Sequence, residues 1–211
     1  MNVNFDSPDI KCLSQRLATE IRREQIAAAA LKVISDKGPA ALNIADIADQ
    51  VGLVPSAIYR HFPGKKEILL AVNGLIKDRL LANIHKACQG TDDPLTQLHR
   101  LLFLHVETAL KTDGIARYVF TTGTLAKGSK RKQKLFEGVR LYLDRVAKIF
   151  ASGQQKGQIQ KELNPDTLSF MFLGLIQPAI FLHQLGDAHY DIESQVENAW
   201  QVFLTGISIV K

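Results

Sequence analysis

The sequence predicts an all-α protein of about nine helices, and three observations support that fold class. Apolar residues recur at spacings of three and four along most of the chain, which is the period of helices with one buried face. No run of alternating apolar and polar residues is bounded by turn signals, so no strand is predicted. Hydrophobic residues make up 46% of the 211 positions and charged residues 22%, which suits a folded chain with a substantial core.

The first helix is predicted from Ser14 or Thr19 to Lys37, after an N-terminus over residues 1–12 that is expected to be flexible. Gly38 ends this helix, because glycine readily adopts the left-handed conformation that follows many helices. A run of alanines in its second half favours helix formation. Its predicted apolar positions include Ile21, Ala28, Leu31 and Ile34.

Two short helices joined by a tight turn are predicted next. Asn43 suits the N-cap of the second helix, and Gly52 ends it. Pro55 suits the first turn of the third helix, which is expected to end near Phe62. Steps of 100° per residue place on the inner side of this helix Val54, Pro55, Ile58 and Phe62. The same steps turn outward Ser56, Ala57, Tyr59 and Arg60.

Six further helices complete the predicted fold. The first of them runs from about Lys65 to Ala87 and carries an apolar residue at almost every third or fourth position. The other five are predicted at residues 94–111, 115–126, 131–155, 165–184 and 192–209. Pro178 is expected to kink the helix at 165–184, because proline removes a backbone donor and crowds the preceding turn.

The block from Asn43 to Val72 carries the most informative pattern, two short helices in helix-turn-helix order. Its distinctive residues, with those just before it, are Gln25-Ile26, Ile47-Ala48, Val51-Gly52-Leu53, Ile58-Tyr59-Arg60-His61-Phe62, Lys65-Lys66-Glu67 and Leu69-Leu70-Ala71-Val72. In this register the chain resembles, over roughly residues 20–75, the DNA-binding domain of the TetR family of bacterial transcriptional regulators. The resemblance implies a helix-turn-helix domain over residues 13–66 and a larger ligand-binding and dimerisation domain over residues 67–211.

The resemblance also implies how the chain contacts DNA. Tyr59 and Lys65 would bind phosphates, and the helix N-terminus at Lys65 also favours an anion. Arg60 would read a base, because its guanidinium can bind O6 and N7 of guanine together. Ser56 and Ala57 would touch base edges or a thymine methyl group. The full predicted DNA-binding set is Asn43, Pro55, Ser56, Ala57, Tyr59, Arg60, His61 and Lys65.

Two positions depart from the usual family pattern. Val54 stands where the N-cap of the third helix is usually Ser or Thr, and Ala57 stands where Thr is frequent. The third helix therefore offers few polar groups for reading bases, and the operator sequence cannot be predicted. These departures leave open an alternative function, a helical protein-interaction or ligand-binding module without sequence-specific DNA binding.

The last two helices carry more apolar surface than one pair of helices hides well, which favours a homodimer joined by a four-helix bundle. Such a dimer would place two copies of the third helix in successive major grooves, about 34–36 Å apart. The other interpretation is that these side chains fill the core of a single protomer. The predicted interface residues are Phe170, Leu173, Phe181, Trp200, Phe203 and Ile207.

The resemblance further implies a repressor that a small-molecule inducer releases from a palindromic double-stranded DNA operator. The inducer would occupy an apolar cavity with a few polar groups. Residues 126–156 carry nine basic and two acidic residues, which suits an acidic or phosphate-bearing inducer such as an acyl thioester. The densest basic cluster, Lys127–Lys134, is equally typical of a solvated loop. Candidate lining residues are Phe103, Glu107, Tyr118, Phe120, Thr122, Phe172 and Gln177.

Other classes of protein find little support in the sequence. It contains no phosphate-binding loop, zinc-protease motif or nucleophile elbow, so no enzyme, cofactor or metal is predicted. Cys12 and Cys88 stand 76 residues apart, which is typical of unpaired thiols in a cytoplasmic protein. The uncharged run from Thr167 to Leu182 is shorter than the roughly 20 residues of a membrane span, so it is expected to be buried in protein.

Overall fold

The computed structural model describes residues 8–111, 113–123, 128–184 and 191–209, and these residues form helices joined by short turns. Within these ranges no strand occurs, and an isolated antiparallel bridge joins Ile159 to Ser208. The predicted all-α fold is confirmed, and the bounds of the last six helices agree with the prediction to within three residues. In chain order the helices are α1 (Pro8–Lys37), α2 (Ile44–Val51), α3 (Pro55–Tyr59), α4 (Lys65–Cys88), α5 (Pro94–Lys111), α6 (Asp113–Gly123), α7 (Lys130–Gln155), α8 (Pro165–Gln184) and α9 (Ile192–Ile207).

Helix α1 is longer than the sequence predicts. It begins at Pro8, so residues 8–12, which were expected to be flexible, are helical; residues 1–7 lie outside the described part of the chain. Proline followed by an acidic residue suits the first turn of a helix, a start signal that the prediction overlooked. Ile21 is exposed rather than buried, because the part of α1 that packs in the core begins only at Ile26.

Two apolar cores organise the molecule. The first core joins α1, α2, α3 and the beginning of α4, with Ile47 and Ile58 fully buried inside it. The second core joins the end of α4 to α5, α7, α8 and α9. In the second core the rings of Phe150 and Phe172 meet edge to face, with centroids 6.1 Å apart. Because α4 runs through both cores, it connects the helix-turn-helix rigidly to the C-terminal helices.

Helix α8 has apolar residues on both of its sides. Phe172 and Ile176 are buried in the second core, whereas Phe170 is 70% exposed. By length and composition, Pro165–Leu182 could cross a membrane, and a third of that stretch is buried in the protomer. Burial was predicted for the whole run, so this prediction is only partly met. Pro178 lies inside α8, which continues beyond it, and the expected kink stays a prediction.

Candidate DNA-binding surface and ligand cavity

The turn between α2 and α3 is built as the sequence predicts. Asn43 caps α2, because its Oδ1 accepts a hydrogen bond from the backbone N–H of Asp46 at 2.8 Å. Its Nδ2 donates to the Asp46 carboxylate at 2.9 Å, so the whole amide is engaged at this helix end. Gly52 ends α2 with a φ of +66°, in the region that favours glycine. The N-cap of α3 is Val54, and no side chain caps that helix.

One side of α3 and the start of α4 form an exposed surface. Tyr59 and Arg60 are exposed at the end of α3, and Lys65 is exposed at the first residue of α4. Ala57 and His61 are partly buried. This arrangement gives a convex surface with two cations and a phenol, which suits a DNA groove and its phosphates. We name this the recognition surface: Pro55, Ser56, Ala57, Tyr59, Arg60, His61 and Lys65.

The inner side of α3 is narrower than predicted. Ile58 and Phe62 are fully buried as expected, but Val54 is 62% exposed and Pro55 is also exposed. Val54 has an extended backbone with φ −80° and ψ 148°, so the helical step of 100° per residue does not apply to it. Pro55 is only the first helical residue. Two buried side chains therefore hold α3 on the first core.

An arginine of α1 supports the end of the recognition surface. The Arg23 guanidinium donates a hydrogen bond to the backbone carbonyl of His61 and lies 4.1 Å above the centre of the Phe62 ring. The contact combines a charge-assisted hydrogen bond with a cation–π interaction. The sequence gave no sign of this role, because an arginine on a helix flank looks the same whether it is solvated or packed.

A cavity of about 90 Å³ lies between α4, α5, α6, α7 and α8. Its wall is mostly apolar, and no Lys, Arg, Asp or Glu belongs to the described residues that line it. The only polar side chains among these residues come from α5, α7 and α8. The lining residues are Ile76, Leu80, His105, Thr108, Ala109, Ile115, Ala116, Val119, Phe120, Leu135, Val139, Tyr142, Leu173, Gln177 and Ile180.

The polar groups of the cavity are held by hydrogen bonds within the protein. Nδ1 of His105 lies 3.0 Å from the Tyr142 hydroxyl, and the two rings meet edge to face. Burial lowers the pKa of His105 to about 4, so its imidazole is neutral at pH 7, and burial also raises the pKa of Tyr142. The Thr108 hydroxyl donates to the carbonyl of Leu104 and accepts from Asn83 Nδ2, both at 2.8 Å.

Only part of the predicted cavity set reaches the cavity. Phe120 and Gln177 line it, whereas His105, Thr108 and Tyr142 line it without having been predicted. Helical spacing showed that these positions share a face, but it did not show which neighbouring helix that face meets. The other predicted residues lie elsewhere: Tyr118 in the first core, Phe172 in the second core, Phe103 and Glu107 along an open groove of α5, and Thr122 buried near the end of α6.

Helix α6 is a wall shared by the cavity and the first core. Ala116 lines the cavity on one side of the helix. On the other side, Gly114 lies so close to α1 that a Cβ atom there would overlap the backbone carbonyl of Leu31. Arg117 donates to the carbonyl of Ser35 at 2.5 Å, near the C-terminal end of α1. A displacement of α6 therefore acts directly on α1.

The α9 residues predicted for a dimer interface face the interior of their own protomer. Trp200 is buried, and its ring centroid lies 6.4 Å from that of Phe172 in α8. The buried residues of α9 recur at spacings of three and four, so they share one helix face and fill the second core. This corrects the prediction for Trp200, Phe203 and Ile207.

A smaller exposed apolar surface remains on the last two helices. Phe170 and Phe181 of α8 are exposed, as the dimer prediction requires, and Leu173 is partly buried. Val202 of α9 is 76% exposed, although it was not among the predicted residues. We name the surface formed by Phe170, Met171, Phe181 and Val202 the α8–α9 face.

A helix-turn-helix with an exposed recognition surface, joined to a larger helical domain with an apolar cavity, defines a DNA-binding transcriptional regulator. Residues 26–72 match the family model described as bacterial regulatory proteins of the tetR family. Residues 77–206 match a second model, described as the C-terminal region of YsiA-like protein. The chain belongs to the TetR family of bacterial transcriptional regulators. The resemblance is thereby confirmed, and the alternative of a module without DNA binding is not supported.

Relatives align along most of the chain. The nucleoid occlusion factor SlmA of Photobacterium profundum is 25% identical over 86% of this chain and 93% of its own. The fatty acid metabolism regulator protein of Bacillus subtilis is 24% identical over 87% of this chain and 94% of its own. The crystal structure of the regulator FadR from Bacillus subtilis in complex with stearoyl-CoA has the same fold. Its TM-score is 0.73 at 22% identity, covering 87% of this chain and 98% of that chain.

Proposed function

We propose that the protein is a homodimeric repressor that leaves a palindromic operator when a small-molecule inducer binds in its cavity. Residues 13–66 form the DNA-binding domain, and residues 67–211 form the inducer-binding and dimerisation domain. The protein acts in the cytoplasm and has no enzymatic activity of its own. The observation that carries this proposal is the position of α6, which lines the cavity on one side and packs on α1 on the other.

The recognition surface enters the major groove in this proposal. Arg60 reads a base, and Tyr59 and Lys65 bind phosphates on either side of it. His61 adds a phosphate contact, while Pro55, Ser56 and Ala57 approach the base edges. Asn43 acts indirectly, because its amide is engaged in capping α2.

Arg60→Ala is expected to weaken operator binding by about 1–3 kcal/mol and to relax the preference at one base pair of each half-site. Lys65→Ala is a matched control on the same surface. Its loss is expected to weaken binding to all DNA sequences alike and to lower the slope of log affinity against log salt by about one per contact. Titrations of operator and scrambled DNA at several salt concentrations measure both effects. An equal loss on both DNAs for Arg60→Ala would make it a phosphate contact instead.

The cavity must enlarge to hold an inducer of ordinary size. Its volume of about 90 Å³ is below the roughly 150 Å³ of an engineered cavity that holds benzene. Ligand pockets usually measure about 300–1,000 Å³. An inducer therefore pushes the walls apart, and α6 transmits this movement to α1 through Gly114 and Arg117. The inducer can shift the protein away from the operator only by as much as it prefers the enlarged state.

The inducer of this proposal carries an apolar chain. The apolar cavity wall supports this class, as do two relatives, the fatty acid metabolism regulator and the regulator solved with stearoyl-CoA. An acidic or phosphate-bearing head suits the basic beginning of α7, where Lys130 and Arg131 lie one turn before Leu135 of the cavity wall. Lys127 of the same cluster lies outside the described residues.

Selection of genomic DNA fragments by the purified protein tests the proposal. We expect enrichment of a palindrome that Arg60→Ala no longer selects, and release of that DNA by stearoyl-CoA. Absence of any enriched site at low salt would contradict the assigned recognition surface. Enrichment without release, or binding that stearoyl-CoA strengthens, would contradict the assigned mode of induction.

A further inference from the structure

Among the described residues, His105 and Tyr142 form a polar pair in the cavity wall whose hydrogen-bonding capacity is only partly used. Apart from their mutual contact of 3.0 Å, neither side chain has another hydrogen-bond partner in the part of the chain that the structure describes. Thr108 differs, because its hydroxyl proton goes to Leu104 and its lone pair accepts from Asn83. A ligand that needs a donor inside the cavity therefore meets this pair first.

The pair keeps one donor whichever residue donates in their mutual bond. A neutral imidazole carries one N–H and a phenol carries one O–H, so the pair holds two protons and its internal bond uses one. The second proton lies on Nε2 of His105 if Tyr142 donates, and on the Tyr142 oxygen if His105 donates. In either tautomer the pair suits a ligand that presents a hydrogen-bond acceptor.

A charged acceptor fits this site poorly. The cavity wall contributes no Lys, Arg, Asp or Glu from the described residues, and His105 and Tyr142 are the titratable groups that line it. Both are neutral near pH 7, because burial lowers the pKa of His105 and raises that of Tyr142. A carboxylate in this place would be buried without a cation, which is costly. It could enter only with a proton, bound either to its own oxygen or to His105.

We infer that His105 and Tyr142 select an uncharged carbonyl group on an apolar chain, and so make the cavity specific for esters, thioesters or ketones over free carboxylates. This inference rests on the proposed inducer site and deepens it by naming the group that is recognised and the residues that recognise it. The carbonyl oxygen accepts the spare proton of the pair, while the chain fills the apolar part of the cavity. A phosphate-bearing head, where present, stays outside.

Competition against a neutral apolar dye bound in the cavity provides the test, with methyl decanoate, decanoate and undecane as probes. At pH 8 decanoate is expected to bind at least about 100-fold more weakly than its methyl ester, because a carboxyl group with a pKa of about 4.3 must first take up a proton. The affinity of decanoate rises about tenfold for each unit by which the pH falls from 8 to 6. The affinity of methyl decanoate stays constant over that range.

The decisive variant is the double substitution His105→Leu with Tyr142→Phe, because either residue alone still carries a donor. The ratio of methyl decanoate affinity to undecane affinity is expected to fall about 3- to 10-fold, the usual effect of one hydrogen bond. Retained undecane binding shows that the variant is folded with its cavity intact. Tyr142→Phe alone, which keeps the ring, serves if the double variant fails to fold, with a smaller fall expected. His99→Gln, on the same helix but outside the cavity, should change nothing.

The outcomes separate this inference from the proposed function. The inference is overturned if decanoate binds as tightly as its ester with an affinity that does not change between pH 6 and 8. An unchanged ratio in the folded double variant overturns it as well, and in both cases the cavity remains an inducer site. If neither undecane nor methyl decanoate displaces the dye, the cavity takes no apolar chain, and the proposed inducer site falls together with the inference.

Discussion

Gly114→Ala is expected to destabilise the protein by about 3 kcal/mol and to lower its affinity for the operator in the absence of inducer. The added methyl group would overlap the carbonyl of Leu31, which belongs to the backbone of α1 and cannot rotate away. Helix α6 must therefore move off α1, in the direction that an inducer would also displace it. Urea unfolding at fixed protein concentration measures the loss of stability, and operator titration at a temperature where the variant is folded measures the second effect.

Gly74→Ala is the matched control for this substitution. Gly74 also lies inside a helix, α4, but a Cβ atom there would meet nothing within 4 Å. We expect this variant to be more stable by about 0.5–1 kcal/mol, because glycine in a helix costs about that much relative to alanine. If Gly114→Ala behaved like Gly74→Ala, α6 and α1 would not be in tight contact, and the proposed path from cavity to DNA would lose its basis.

Signals that act within a few residues made the helices predictable. Asn43 and Gly52 bound α2 because a side-chain cap and a left-handed glycine are local chemistry, independent of the rest of the fold. The Asn164-Pro165-Asp166 signal likewise placed the start of α8 correctly, with the backbone N–H of Asp166 donating to Asn164 at 2.8 Å. The start of α1 was missed although Pro8 is also such a signal, because the apolar pattern was weak there.

Contacts between helices were predicted far less well. Trp200 and Val202 are both apolar and only two residues apart on α9, yet one is buried and the other is 76% exposed. Because α9 has apolar residues on two faces, its sequence alone could not show which face meets the core. Gly114 and Arg117 resemble ordinary helix residues, since their roles depend on how closely α6 approaches α1. The cavity was therefore predicted in kind but not in its polar residues.

The double variant Phe170→Glu with Val202→Glu is expected to convert the proposed dimer to monomers. Both side chains are exposed in the protomer, at 70% and 76%, so the substitutions leave its own core intact. In a dimer joined through the α8–α9 face they would bury four carboxylates, and an unpaired buried charge costs several kcal/mol. A monomer holds one half-site at a time, so affinity for a palindromic operator should fall about 100-fold or more, while affinity for a single half-site stays unchanged.

Phe136→Glu tests whether the loss depends on this face or on any new surface charge. Phe136 of α7 is 62% exposed and lies outside both α8 and α9, so this variant should remain a dimer with normal operator affinity. Light scattering after size exclusion gives the mass of each variant, and titrations of palindrome and half-site give the two affinities. A double variant that stayed dimeric would move the interface away from the α8–α9 face. The exposed phenylalanine and valine of α8 and α9 would then need another partner to cover them, since this long apolar helix is two-thirds unburied in the protomer.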